Sequence, residues 1–185
     1  MVRKETRRQR YDKKLKTSKR YPISLCAINF RVDDNLGYLI RSAACFGAER
    51  LYVIGHIPER SSIKASSGSL IDYVEIERFK NPREFLMQME VAGIQVVVAE
   101  LAEGARSLGS YDFDFSRGVC LVVGNEQAGV PAEIIQKCDV VCIDMPGVGY
   151  CLNTSQAANI LLYEAVSEYE RKQALVAQSD RAADF

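Results

Sequence analysis

Apolar residues in this chain come in short continuous runs, with little strict alternation. Residues 23–28, 51–54, 94–99, 119–123 and 140–143 each read as a strand buried on both faces. Between them the spacing lengthens to a helical period. Asp33, Asp34 or Asn35 can cap a helix over 36–46, which Gly47 stops. Asn81 before Pro82 starts a second helix running through Met89, and Pro131 a short third one to Lys137. A long helix over about 153–171 follows the last strand. Residues 73–76 form a further candidate strand. Residues 59–69, rich in serine, and 102–118 read as loops, the first with room for a helical turn. Strands alternating with helices, and apolar throughout, predict an α/β fold: a mainly parallel sheet with helices on both faces.

The 185 residues fit one domain with a sizeable core. The pattern divides the chain into an arm (1–20), a domain (21–172) and a C-terminal tail (173–185) whose polar end is expected to fray. Charge sharpens that division. The arm carries ten Lys/Arg against two Asp/Glu, and the remainder fourteen against twenty-two, so a net of +8 is set against −8. A basic arm on a slightly acidic body suggests a polyanionic partner, the alternative being a solvated tail. Tyr11 and Tyr21 lie in or beside the arm, too few for a stacking platform.

No apolar run approaches the length of a membrane span, and the basic N-terminus lacks the apolar segment of a secretory signal. Six cysteines occur without a CxxC pair, mostly inside apolar runs, and there is one histidine, His56. Reduced, buried thiols of a cytoplasmic protein are expected, with neither a metal site nor histidine chemistry.

Three polar joints follow strands, where ligands of parallel sheets bind. In the first, Asn35-Leu36-Gly37-Tyr38-Leu39-Ile40-Arg41, the arginine sits within an otherwise apolar helix. It is either an exposed helix residue or the partner of an anion. In the second, Gly124-Asn125-Glu126-Gln127-Ala128-Gly129, a carboxylate stands between two glycines after a buried strand. Glu126 can hold a cation, pair with Arg41, grip a hydroxyl, or simply favour a helix start. The joint is not a P-loop, since no Gly-Lys-Ser/Thr follows. The third joint, Ile143 to Glu164, places Pro146, Gly147 and Gly149 before Asn153-Thr154-Ser155, which are good helix caps. Its glycines lack the third member of a dinucleotide fingerprint.

Together these residues resemble the three ordered motifs of the SpoU RNA 2′-O-ribose methyltransferases: Asn35…Gly37…Arg41…Ala44…Phe46-Gly47, then Gly124-Asn125-Glu126…Gly129-Val130-Pro131, then Met145-Pro146…Leu152-Asn153-Thr154-Ser155…Ala157-Ala158. The similarity covers roughly residues 22–170, and the Lys64-Ala65-Ser66-Ser67-Gly68 loop is also similar to a feature of the family. The resemblance implies a C-terminal trefoil knot, a homodimer, and S-adenosylmethionine as cofactor. It further implies methyl transfer to a ribose 2′-hydroxyl of tRNA or rRNA, with tRNA slightly favoured because only the short arm precedes the domain. The alternative is a non-catalytic RNA-binding protein on the same scaffold.

Carried over residue by residue, Arg41 orients or deprotonates the 2′-hydroxyl. Asn35, Glu126 and Asn153 position it and the nucleotide. The cofactor pocket is expected from Glu100 and Leu101, Val123 and Gly124, then Ile143, Met145, Cys151 and Leu152. One position departs from the pattern. Cys151 stands where the family usually has serine, and a thiol is a weaker donor for a substrate phosphate than a hydroxyl.

Overall fold

The computed structural model describes residues 5–183. Seven strands form one sheet: β1 (Ile23–Ile28), β2 (Leu51–Ile54), β3 (Ile76–Phe79), β4 (Gln95–Ala99), β5 (Arg106–Ser107), β6 (Val119–Val123) and β7 (Asp139–Cys142). Their spatial order is β3-β2-β1-β6-β4-β7-β5, and every pairing is parallel. The described residues also form six helices: α1 (Arg7–Leu15), α2 (Asp33–Phe46), α3 (Arg60–Ser67), α4 (Pro82–Ala92), α5 (Ala132–Ile135) and α6 (Thr154–Ala183).

The alternation of side chains along β1 and β6 explains why these runs are continuously apolar. Ile23, Leu25, Ala27, Val119, Leu121 and Val123 face a cluster built with Leu36, Leu39 and Ile40 of α2 and Leu161 and Leu162 of α6. Cys26, Ile28, Cys120 and Val122 face the other cluster, with Phe85 and Met89 of α4 and Ile134 of α5. A strand sandwiched this way has no polar face to offer water.

Helix ends follow the expected chemistry. Asn81 accepts the N–H of Glu84 at the start of α4, with Pro82 in the first turn. Gly47 ends α2 at φ 71°, a left-handed value that costs glycine little.

Four segments differ from the sequence-based expectation. Residues 60–67 form helix α3, because Ile63, Ser66 and Ser67 are buried against α2 and the hydroxyls of both serines donate to Ile63 O. The third strand begins at Ile76, and Tyr73 instead closes a 3-10 turn, Leu70–Tyr73. Within 102–118 a two-residue strand and a 3-10 turn precede Tyr111 and Phe113, which plug the core. Finally, α6 continues past residue 171 to Ala183.

The arm is helical over Arg7–Leu15. Thr6 and Gln9 cap it reciprocally: Thr6 Oγ1 accepts the Gln9 N–H, and Gln9 Oε1 accepts the Thr6 N–H. It is anchored to the body rather than free. The Tyr11 ring meets Tyr73 edge-on at 5.7 Å, and the Tyr73 hydroxyl donates to Asp12 at 2.6 Å. Further on, Lys19 and the Tyr21 hydroxyl both donate to Glu170 of α6, at 2.7 and 2.5 Å.

Candidate functional site

A cavity of about 480 Å³ opens beyond the carboxyl ends of β4, β6 and β7. The sheet explains its position. The β4–β6 ladder ends at Ala99↔Val123 and the β4–β7 ladder at Ala99↔Val141. Leu101, Gly124 and Ile143 come after those rungs, where main-chain groups can face a ligand. All eight residues expected to form the pocket line it: Glu100, Leu101, Val123, Gly124, Ile143, Met145, Cys151 and Leu152. Its walls mix apolar side chains with polar ones from Glu126, Asn153 and Thr154.

Close backbone packing shapes one wall. A Cβ on Gly124 would lie 2.3 Å from the carbonyl carbon of Gly129, so only glycine fits there. The loop between them is stitched by Asn125. Its backbone exchanges hydrogen bonds with Gly129, its Oδ1 accepts the N–H groups of Gln127 and Ala128, and its Nδ2 donates to Asn29 O. Asn29 itself sits at φ 48°, a left-handed turn at the end of β1 that asparagine tolerates. The Glu100 carboxylate is occupied locally. It accepts the Leu101 N–H at 3.0 Å and the Val130 N–H at 2.9 Å.

A polar chain crosses from the second joint to the third. Glu126 accepts from the Arg31 N–H at 2.9 Å, the Val32 N–H at 3.1 Å and Asn35 Nδ2 at 2.7 Å. Asn35, buried, accepts from Asn153 Nδ2 at 3.1 Å. Asn153 then caps α6, accepting the Ser155 N–H at 2.9 Å and the Ser155 hydroxyl at 2.6 Å. Thr154 Oγ1 donates to Gly124 O at 3.0 Å, tying the helix start to the end of β6. Partial burial alone would raise the Glu126 pKa. The Arg31 N–H, the Asn35 amide and the remaining N–H donors outweigh it, holding the carboxyl below its ordinary value.

Of the four residues expected to act on the substrate, Asn35, Glu126 and Asn153 are thus joined directly. Arg41 is not part of that chain. It is exposed on α2, and its guanidinium donates to Ala65 O at 3.2 Å and lies beside Gly68. The Glu126–Arg41 pair considered from spacing does not form, because the backbone of residues 31 and 32 and the Asn35 amide already fill the carboxylate. Arg31 is a contributor outside the three motifs, whereas Asn125 and Thr154 stand inside them without an assigned site role. The only signal for Arg31 was its place just after β1.

No group of three or more His, Cys, Asp or Glu capable of holding a metal occurs among the described residues. None of the helices, over the same residues, is long and apolar enough to cross a membrane.

A parallel sheet with a strand-end cavity, backed by a polar network between two helix starts, defines an α/β ligand-binding protein. The family is specific. Residues 22–163 match the model of the SpoU rRNA Methylase family, and the chain belongs to it.

Among curated relatives, the chain is 36% identical over 141 residues to a 23S rRNA (uridine(2479)-2′-O)-methyltransferase of Streptomyces viridochromogenes, covering 72% of this chain and 48% of the relative. It is 31% identical over 150 residues to a tRNA (guanosine(18)-2′-O)-methyltransferase of Aquifex aeolicus, covering 79% and 69%. Thus the chain spans about half of the first relative's length and about two thirds of the second's. Its fold is similar to the crystal structure of the A. aeolicus TrmH/SpoU tRNA modifying enzyme, with a TM-score of 0.75 at 27% identity over 88% of this chain and 86% of that one. It is also similar to the S. viridochromogenes SpoU methyltransferase AviRb in complex with AdoMet, with a TM-score of 0.69 at 31% identity over 82% and 60%.

Proposed function

We propose that this chain transfers a methyl group from S-adenosylmethionine to a ribose 2′-hydroxyl of RNA. The observation that carries the reading is the cavity at the ends of β4, β6 and β7, joined by the Asn153–Asn35–Glu126 chain to the start of α2, which bears Arg41. The names of both relatives, one acting on rRNA and one on tRNA, support the reaction, and the AdoMet complex of AviRb supports the cofactor.

The cavity fits that cofactor in size and lining. At about 480 Å³ it falls within the range of small-molecule pockets. Ile143 and Leu152 supply apolar walls, and main chain after β4 and β6 supplies directional donors and acceptors. Bound there, the cofactor supplies an electrophilic methyl carbon.

The chain's own residues do the rest. Asn153 fixes the start of α6, and Asn35 and Glu126 lock it against α2. Arg41 orients the hydroxyl and screens substrate phosphate, a role suited to the planar donor fork of a guanidinium. Alignment of nucleophile and methyl carbon then supplies much of the rate. The trefoil knot belongs to the same proposal.

Three further points complete the proposal. The substrate is tRNA in preference to rRNA, a preference supported by the basic arm and by the Aquifex relative, of which this chain spans the larger share. The protein acts in the cytoplasm. It forms a homodimer through the exposed apolar face of the packed α2–α6 pair, where Tyr38, Ile160 and Tyr163 are 43, 41 and 59% exposed.

A non-catalytic RNA-binding role is the second reading, favoured by Cys151 at the family's serine position. Transfer of labelled methyl from the cofactor into bulk tRNA and rRNA decides between them. Incorporation by the wild type and its loss in Arg41→Ala supports the enzyme. Cofactor binding without transfer to any RNA supports the second reading.

A further inference from the structure

A second groove runs beside α3. Its volume is about 230 Å³, and Arg8 of α1 faces Arg60 and Lys64 of α3 across it, with Gly68, Asp72 and Tyr73 completing the wall. The three cations come from elements fifty residues apart in sequence, so their convergence depends on the docking of α1. The Tyr11–Tyr73 edge contact and the Tyr73–Asp12 hydrogen bond provide that docking.

The groove's charge is unbalanced. Arg60 pairs with Asp72 at 2.7 Å, while neither Arg8 nor Lys64 has an ion-pair partner among the described residues. Among the lining residues three cations therefore stand against one carboxylate, Asp72, while Asp12 is taken up by the Tyr73 hydroxyl. The groove also leads toward the proposed site. Gly68 lines it, and the Arg41 guanidinium lies beside that same glycine, 3.5 Å from where its Cβ would be.

We propose that this groove is a backbone-phosphate subsite for the RNA strand, in which Arg8 and Lys64 hold a phosphodiester next to the nucleotide that reaches Arg41. The inference rests on the RNA-methylating reading for its ligand. It adds what that reading lacks, namely a defined path for the strand and a reason for the arm to be docked at Tyr73. A preorganised pair of cations holds phosphate with less ordering cost than the same charges on a loose tail. Phosphate contacts of this kind set register and orientation without reading sequence.

The test is the salt dependence of RNA affinity, measured with cofactor present, for wild type and the Arg8→Ala/Lys64→Ala double variant. Removing these contacts is expected to flatten the slope of log affinity against log salt by about 0.7–0.9, the contribution of one neutralised phosphate. Cofactor affinity and thermal stability should not change. A control double variant, Arg83→Ala/Lys137→Ala, removes the same charge from the α4–α5 side and should leave the slope alone. An unchanged slope in the groove variant overturns the proposal, as does an equal flattening in the control, which would mean a diffuse field and no subsite. Destabilised Arg8→Ala protein is replaced by Arg8→Gln, with the same slope as the criterion. Failure of the methyltransferase reading shows separately, as wild-type protein that binds RNA with the full slope yet transfers no methyl group.

Discussion

Asn35 Oδ1 accepts a hydrogen bond from Asn153 Nδ2 at 3.1 Å, joining the first turn of α2 to the cap of α6 across 118 residues of sequence. The same Asn35 side chain donates to Glu126, so one buried amide holds all three polar joints together. Replacing it with alanine strands the Asn153 amide donor and leaves one Glu126 acceptor without its Asn35 donor. Asn35→Ala should lower cofactor affinity and cost about 1–3 kcal/mol of stability, read by calorimetric titration and denaturant unfolding.

Arg41 touches neither the cavity lining nor the amide chain. Arg41→Ala should therefore leave cofactor affinity within about twofold of wild type while lowering methyl transfer by about 10²-fold or more. Arg41→Lys should recover little, because an ammonium lacks the planar fork. A parallel loss of cofactor binding would place Arg41 in the cofactor pocket and contradict the assigned role.

Cys151 lines the cavity and is exposed. Changing it to serine supplies a stronger donor in a side chain of similar shape. Cys151→Ser is expected to raise transfer by about two- to tenfold through a lower KM for RNA, with unchanged cofactor affinity. Steady-state kinetics at saturating cofactor separates the two parameters.

The Glu126 carboxyl has a lowered pKa in the folded state. A group with a depressed folded pKa stabilises the fold above its ordinary carboxylate range, and the contribution is lost as pH falls through the folded value. Glu126→Gln should thus lower Tm by about 2–4 °C near pH 7. The gap should close progressively below about pH 4. A gap of constant size at all pH values would show that geometry, and not charge, makes the contribution.

Gly124 has no room for a side chain, since a Cβ would press on the main chain of Gly129. Gly124→Ala should cost about 1–3 kcal/mol and displace the loop that forms one wall of the cavity. Reduced cofactor affinity together with a lower Tm is the expected pair of readings.

Much of this architecture was legible in the sequence. The runs over β1, β2, β4 and β6 were readable because strands buried on both faces leave an unbroken apolar signature. The cavity residues were legible through motif resemblance and not through periodicity. What escaped is physical in origin. Residues 60–67 are polar by composition, and the helix depends on contact with α2 that no local pattern encodes: a Cβ on Gly37 would lie 2.0 Å from Ser66 Oγ. The arm reads as charge for a polyanionic partner, with a solvated tail as the alternative, and no local pattern shows that the Tyr11–Tyr73 pair, the Tyr73–Asp12 hydrogen bond and Glu170 fix it on the body. Arg41 was expected among its motif partners. Its long side chain instead reaches a carbonyl on α3, a choice that linear spacing does not reveal.

Strand β6 lies between β1 and β4, and its register with β1 pairs Ile23 with Val119. A growing chain therefore holds its first strand with one edge open until residues 119–123 have been made. The cavity then needs β7 and the cap of α6 as well. No chain that stops short of Asn153 can present the amide link to Asn35, so capture of ligand is deferred until the start of α6 has emerged.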